Sequence, residues 1–441
     1  MSLPSTAPEN RNRPPESSGG EAIEFEEFRG SDAEIASSGE DHADGSIPSE
    51  PATPSGIGKS GETGFSFESL PPFPHLLRHP LRAGYWLFEV AFGIVSLFAL
   101  LALLAAIPVV NVLALGYMLD AEGRVARTGK LRYAMPLLPL APKLGGIAFG
   151  TWIWYWFVRL VADAASDAEL IAPGSRVAAG WQIGLTIVAI GAAIQVVLAI
   201  ARGGRLGLFF WPTPLNGIWL IRQLFRGDYA ERAGLAVREF VAALRLRHHF
   251  WLGLRGFFGA FAWLLLPTAL LGALRDTSKP GQVLLTLIGG VALVCVLSWV
   301  PFLQARFAAE NRLSAMFELR AIRAMYRRTP IALLLSVVLM YALALPLYLF
   351  KLFDTPQDMR WLLTPVFVAS IYPARILIGW AYSWGQRKQR KSWYLLRLAC
   401  GILAWPLISF YVFVLFFTPA VGAAGRAVLF QHHAILLPWP F

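Results

Sequence analysis

The apolar residues of this chain are gathered in long blocks, and the stretches between the blocks are rich in arginine. A helix needs about 20 apolar residues to cross the hydrocarbon core of a membrane. Seven blocks reach this length and are flanked by charges or by Trp and Tyr, which favour the headgroup region. The pattern predicts an all-α, polytopic transmembrane helical bundle with spans at 144–162, 181–201, 254–274, 283–304, 331–353, 362–384 and 396–418.

A further apolar block, 86–119, is too long for one crossing, because a single helix of this length would measure about 50 Å. Pro108 lies near its middle and removes a helical hydrogen bond. Asn111 follows and offers a side-chain amide to the freed backbone groups. We therefore expect an N-terminal helical hairpin with both ends on one face of the membrane. One crossing followed by an interfacial segment is the alternative.

The first part of the chain, 1–75, has a different composition from the membrane domain expected over 76–441. It is acidic, rich in Pro, Ser, Gly and Glu, and poor in aliphatic clusters. Such a segment buries too little apolar surface to offset its chain entropy, so we expect a disordered tail. Within it, 21–29 alternates acidic and aromatic residues, as docking segments for protein partners do; a solvated stretch is the alternative.

Basic residues are concentrated in alternate loops, at 120–143, 202–255, 306–328 and 387–397. A formal net charge of +11 in a soluble protein would suggest nucleic acid. Here the arginines flank apolar spans, so we interpret them as topology signals and expect no nucleic-acid partner. The positive-inside rule predicts that these loops face the cytoplasm across the cytoplasmic (inner) membrane, with the C-terminus outside. The hairpin would place the tail in the cytoplasm.

Two of the basic loops are expected to lie on the membrane surface, at 206–250 and 306–328. Prolines interrupt 206–225, which favours an interfacial or re-entrant segment. The stretches 228–249 and 306–328 are predicted as basic amphipathic helices resting on anionic lipid, the partner we expect at this face. The candidate lipid-facing residues are Arg238, Arg245, Arg320 and Arg323; ordinary topological anchoring is the alternative.

Charges inside the spans are the strongest lead to a function, because they are costly in lipid and usually face a bundle interior or an aqueous cavity. Arg375 lies well inside the span 362–384, and Glu89 lies just inside the first hairpin helix. Both are expected in the cytoplasmic half, where they can pair. Together with Asn111 they form a candidate intramembrane polar site. Snorkelling of Arg375 to the interface is the alternative.

Catalytic and metal-binding motifs are not found. The sequence lacks the His-Glu-x-x-His and Gly-x-Ser-x-Gly patterns, and both cysteines lie inside apolar runs. The histidine pairs at 248–249 and 432–433 occupy adjacent positions, which diverge on a helix, so we expect no metal site and no cofactor. The sequence favours a non-enzymatic transporter or lipid-handling protein. The alternative is a membrane scaffold or regulator that uses the tail and the basic interfacial helices.

Two stretches carry a resemblance to a known family. The first contains Ile107-Pro-Val-Val-Asn111 and ends in Gly116-Tyr117; the second contains Arg306-x-x-x-Glu310-x-Arg312 and ends in Phe317. They resemble recurring stretches of an uncharacterised, domain-of-unknown-function family of prokaryotic polytopic membrane proteins. The resemblance implies the hairpin and a basic helix but no activity. The acidic tail and the additional C-terminal spans depart from the family pattern.

Overall fold

The secondary structure is α-helical, as the block pattern predicts. The computed structural model describes residues 80–211, 213–227, 229–350, 360–421 and 425–438. These residues form α-helices and short 3₁₀ helices, and they contain no strand. The predicted tail 1–75, with its docking segment 21–29, lies outside the described residues.

The helices are α1 (Pro80–Ala106), α2 (Asn111–Thr128), α3 (Ala141–Ile171), α4 (Arg176–Ala201), α5 (Leu206–Phe209), α6 (Thr213–Phe225), α7 (Tyr229–Leu244), α8 (Leu246–Leu271), α9 (Pro280–Glu310), α10 (Leu319–Tyr326), α11 (Pro330–Leu349), α12 (Arg360–Arg387) and α13 (Tyr394–Val421). Eight of them, α1, α3, α4, α8, α9, α11, α12 and α13, contain segments long and apolar enough to cross a membrane. The predicted fold class, a multi-pass helical bundle, is therefore confirmed. Most of the predicted spans continue beyond their apolar core into polar residues.

The break that the sequence predicts within the apolar block 86–119 is present, and a helix lies on each side of it. Helix α1 ends at Ala106 and α2 begins at Asn111. The backbone N–H of Asn111 donates to the Ile107 carbonyl at 2.9 Å, so its main chain contributes to closing the turn, whereas the prediction assigned the closing role to its side chain. Val109 lies between the helices with φ of 68°, which is rare for a β-branched residue. The hairpin thus holds a strained turn that the sequence does not reveal.

Helix α2 is the centre of the bundle although it is one of its least apolar long helices. Fourteen of its 18 residues are buried. It packs against α1, α8, α9 and α12, which surround it on all sides. Asp120 and Glu122 are carried into the protein interior by this arrangement. Helix α2 therefore places two carboxyl groups inside the bundle.

Glycines permit the close packing of α2. A Cβ on Gly116 would lie 1.7 Å from the His249 carbonyl oxygen of α8. A Cβ on Gly253 of α8 would lie 2.1 Å from the Val112 carbonyl oxygen of α2. Gly123, two turns later on α2, allows α9 the same close approach. The backbones touch at these points, so each glycine is required for the helix spacing.

One end of the bundle collects the arginine-rich connections, and we call it the basic end. Arg127 at the end of α2 donates to the carbonyl of Ala309 at the end of α9, at 2.9 Å. Arg387 at the end of α12 donates to the Thr128 carbonyl. The Ser392 N–H, before α13, donates to the Arg327 carbonyl after α10 at 2.8 Å. The basic loops are therefore joined to one another by hydrogen bonds.

The predicted amphipathic helix over 228–249 is wrong in its extent. Helix α7 ends at Leu244, and Arg245 adopts a left-handed conformation with φ of 47°. His248 and His249 belong to the first turn and a half of α8, which continues into the membrane-crossing stretch. Helix α8 contacts α2 at Gly116, so the two histidines lie against the bundle. The polar pattern of 228–249 does not indicate this contact.

The predicted basic helix over 306–328 is wrong as well. Helix α9 continues to Glu310, so Arg306 belongs to a crossing helix. Asn311 ends α9 in a left-handed conformation with φ of 55°. A 3₁₀ helix, Leu313–Phe317, and the eight-residue α10 follow. The segment is a compact connection at the basic end instead of one surface helix.

The interrupted segment 206–225 forms α5 and α6 and is anchored to the α3–α4 pair. The Gln195 side chain of α4 donates to the Phe209 and Trp211 carbonyls at 3.0 and 2.7 Å. The Phe209 ring is fully buried against Gly150 of α3, where a Cβ would lie 2.3 Å from the ring. Hydrogen bonds from Gln195 thus satisfy carbonyl groups of this non-helical turn, as irregular backbone near a membrane requires.

Candidate functional site

The predicted intramembrane charge Arg375 forms an ion pair in the interior of the bundle. Its Nη1 lies 3.1 Å from Oε2 of Glu122 on α2, and the side chains are 3% and 1% exposed. The predicted pairing with Glu89 is wrong, because Glu89 is only partly buried on α1 and Arg375 reaches α2. Gly379, one turn after Arg375, allows the α12 backbone to lie against the Glu122 carbonyl. This close approach places Glu122 within reach of Arg375.

The chain after α13 returns into the bundle, and we call 425–438 the C-terminal plug. Arg426 donates to the Leu274 carbonyl at the end opposite to the basic end. The Ile435 carbonyl, much deeper, accepts from Nη2 of Arg375 and from Nε2 of Gln304, both at 2.8 Å. Between Arg426 and Ile435 along the plug, Nε2 of His432 lies 3.2 Å from the Thr268 hydroxyl. The plug thus connects the buried ion pair with α8 and α9.

Asn111 does not join this centre. It is buried at the hairpin turn, and eleven residues of α2, about 16 Å of helix, separate it from Glu122. The four candidate lipid-facing arginines are all exposed, at Arg238, Arg245, Arg320 and Arg323.

An elongated cavity lies between α9, α10, α11 and α13, and we call it the α9–α13 cavity. Its volume is about 520 Å³. The side chains of Arg323, Arg327 and Arg397 line it near the basic end. The rest of the wall is mainly apolar and aromatic, from Trp299 of α9 to Ile408 of α13. Of the candidate arginines, only Arg323 lines this cavity.

Two nitrogen atoms in the wall are buried and have no hydrogen-bond partner among the described residues: Nε1 of Trp299 and Nε of Arg397. The Arg397 guanidinium also lies 5.5 Å from the centre of the Tyr394 ring. The Tyr326 hydroxyl donates to the Arg397 carbonyl at 3.0 Å and fixes the start of α13 against α10. Buried polar groups are normally satisfied, so both N–H groups are available for a further hydrogen bond.

A second cavity continues along the same pair of helices towards the opposite end. It has a volume of about 470 Å³ and lies between α8, α9 and α13. Its wall is mainly apolar and includes Leu271, Val294 and Phe413. The Trp405 ring lines both cavities. One side chain therefore lies between two apolar spaces that together follow most of α9.

A third arrangement brings together an acid and two histidines from α2 and α8. One ligand atom each of Asp120, His248 and His249 lies within 4.8 Å of the others. The expectation that adjacent histidines diverge does not hold here, because Asp120 lies within reach of both rings. The acid was not among the predicted site residues.

At the basic end, Glu318 accepts bonds from two arginines. Nη2 of Arg312 lies 2.7 Å from Oε1, and Arg306 donates to Oε2. Desolvation raises the pKa of the Glu318 carboxyl, but the two guanidinium groups outweigh it and hold the pKa below its usual value of 4.5. The end of α9 is thereby fastened to the start of α10.

No family model, curated protein or solved structure matches this chain. The resemblance to the domain-of-unknown-function family therefore stays a prediction.

Proposed function

We propose that this multi-pass membrane protein is a lipid-handling protein that binds an anionic amphiphile in the α9–α13 cavity. The supporting observation is the distribution of charge along that cavity, with three arginines at one end and an apolar wall over the remainder. An acyl chain fits the apolar part, where it avoids water. Arginine guanidinium groups bind phosphate and carboxylate through paired hydrogen bonds.

The dimensions agree with such a ligand. From Arg397 to Ile408 the wall of α13 spans eleven residues, about 16 Å of helix. The volume of 520 Å³ lies within the usual range of about 300–1,000 Å³ for small-molecule sites. A hydrocarbon chain lying along α13 from the arginines reaches the level of Trp405. The second cavity begins there, so rotation of Trp405 would extend the path towards the opposite end.

We also propose an orientation for the protein in the inner membrane. The basic end and the N-terminal tail face the cytoplasm, and the C-terminal end of α13 faces outside. The gathering of the arginine-rich connections at one end of the bundle supports this placement. Thiol labelling of Arg238→Cys and Arg275→Cys variants in sealed cells tests it, because the first is expected to be protected from an impermeant reagent and the second to react.

The lipid proposal is tested by native mass spectrometry of the purified protein with added phosphatidylglycerol and phosphatidylcholine. We expect the wild type to retain phosphatidylglycerol in preference to phosphatidylcholine. The double variant Arg323→Gln/Arg397→Gln should lose that preference. Arg320→Gln is the matched control, since Arg320 is exposed on α10 outside the cavity. Equal lipid retention in the double variant and the control would contradict the proposal.

The alternative function, a scaffold or regulator, rests on the tail 1–75 and on 21–29, outside the described residues. It would gain support if a partner protein is retained by the full chain and lost when 1–75 is deleted. Because the deletion leaves the cavity intact, lipid retention in the same variant separates the two functions.

A further inference from the structure

We propose that Asp120, His248 and His249 bind a divalent transition metal ion of the zinc class at the basic end of the bundle. The site is independent of the α9–α13 cavity, to which none of these residues contributes. Two imidazoles and one carboxylate are ligands that zinc commonly accepts. Harder ions such as magnesium and calcium prefer an all-oxygen set, which this cluster does not offer.

The positions of the donors support a site. Oδ1 of Asp120 lies 3.6 Å from Nε2 of His248, too far for a hydrogen bond. Nδ1 of His249 is buried and has no hydrogen-bond partner among the described residues. Three groups that can coordinate a metal are thus close together, and the hydrogen bonds among them are incomplete. Asp120 and His249 are 5% and 3% exposed, so both side chains are held inside the bundle.

The spacing is close to that of a tetrahedral site. Zinc-bound donors lie about 3.3 Å apart, as follows from metal–ligand distances of about 2.0–2.1 Å. The widest pair here lies within 4.8 Å, so side-chain rotations that close it by about 1.5 Å complete the geometry. The backbone is already in place, since the glycine contact at Gly116 fixes α2 against the His249 carbonyl.

A neighbouring arginine orients the acid. Nε of Arg124, one turn later on α2, donates to Oδ2 of Asp120 at 2.9 Å. This bond leaves Oδ1 facing His248. Metal-binding carboxylates commonly have such a second hydrogen bond, which fixes their orientation.

The fourth coordination position faces an open, basic surface. His248 is part exposed and lines a cavity of about 850 Å³ together with Arg245, Arg247 and Arg255. The cavity provides access for the ion to an otherwise buried cluster. Its arginines favour an anion as the fourth ligand, which balances the charge of the metal. Three protein ligands and an exchangeable fourth are the arrangement of zinc sites that bind small anions or water.

Zinc binding to the purified full-length protein tests the proposal. After removal of metal, titration with Zn²⁺ against a chelating dye should show one ion per chain, and the zinc K-edge X-ray absorption spectrum should show imidazole scattering. Asp120→Asn, His248→Asn and His249→Gln should each weaken binding by on the order of tenfold or more. Asp276→Asn, which alters an exposed acid outside the cluster, should bind as the wild type does.

Two results would overturn the site. One is the absence of zinc binding by the folded wild type at micromolar concentrations. The other is binding that the His248→Asn variant retains in full, since His248 is part exposed and its replacement should not prevent folding. Gel filtration of each variant establishes folding, and the absorption spectrum of the wild type gives the type and number of ligands even where a buried variant misfolds.

Discussion

Arg375 of α12 and Glu122 of α2 form a buried ion pair, with Nη1 and Oε2 3.1 Å apart and almost no exposed side-chain surface. The pair has a third participant, because Nη2 of the same arginine bonds to the Ile435 carbonyl of the C-terminal plug. An arginine that the sequence predicted to pair with Glu89 therefore connects three other parts of the structure: α12, α2 and the C-terminal plug.

Removing one member of this pair should destabilise the protein strongly. Arg375→Leu leaves the Glu122 charge buried without its partner, and Glu122→Gln leaves the arginine in the same position. Breaking a buried pair costs about 3–5 kcal/mol. We expect both variants to unfold at clearly lower temperature in detergent, by intrinsic fluorescence. The double variant Arg375→Leu/Glu122→Gln should lose less than the sum of the two. Additive losses would show that the two side chains are not coupled.

Gly116→Ala should be poorly tolerated, because its Cβ would lie 1.7 Å from the His249 carbonyl oxygen. Forcing α2 and α8 apart costs about 1–3 kcal/mol or more. The yield of monodisperse protein in fluorescence-detected gel filtration measures the effect. Gly184→Ala is the control, since nothing lies within 4 Å of its Cβ position and alanine favours the helix. Equal yields for the two variants would contradict the close packing of α2 and α8.

The plug should protect its deep residues from thiol reagents. In a background where Cys295 and Cys400 are replaced by alanine, Arg426→Cys is exposed and should react quickly with a maleimide. Ile435→Cys should react only after denaturation, because Ile435 is 1% exposed. Comparable native labelling rates at the two positions would show that the C-terminal segment does not occupy the interior.

The contribution of Glu318 should depend on pH in one direction. Its pKa is lowered in the folded protein, so its stabilising effect is present above the ordinary value of 4.5 and is lost as the pH falls through the lower, folded value. The difference in unfolding temperature between the wild type and Glu318→Gln should thus be largest near pH 7 and shrink towards pH 3. Glu231→Gln, an exposed acid on α7, serves as the comparison. A difference that is constant with pH would exclude the carboxylate as the cause.

The sequence predicts the crossing helices well, because length and apolar composition alone decide whether a segment suits the bilayer. The partner of Arg375 was missed for a physical reason. Glu122 lies in an arginine-rich stretch that resembles a surface loop, and its burial depends on contacts of α2 with four other helices. The small residues Gly116 and Gly123, seven apart on one face of α2, were a usable signal of that packing.

The two surface helices were misjudged because amphipathic patterns do not reveal where a chain turns. Arg245 follows the end of α7 and Asn311 follows the end of α9, each with a positive φ. Neither is a glycine, which would have marked the turn in the sequence.

The C-terminal plug could not be predicted from the sequence for another reason. Its short apolar stretch around Ile435 is too brief for a crossing, and only tertiary contacts carry it inwards.

The order of synthesis determines when the buried ion pair can form. Glu122 is made 253 residues before Arg375, and the Ile435 carbonyl follows Arg375 by another 60. During translation, α2 must therefore wait with an unpaired carboxyl group until α12 has been inserted. The bundle is complete only when the plug has arrived. Until then, Nη2 of Arg375 and Nε2 of Gln304 lack the Ile435 carbonyl to which both donate.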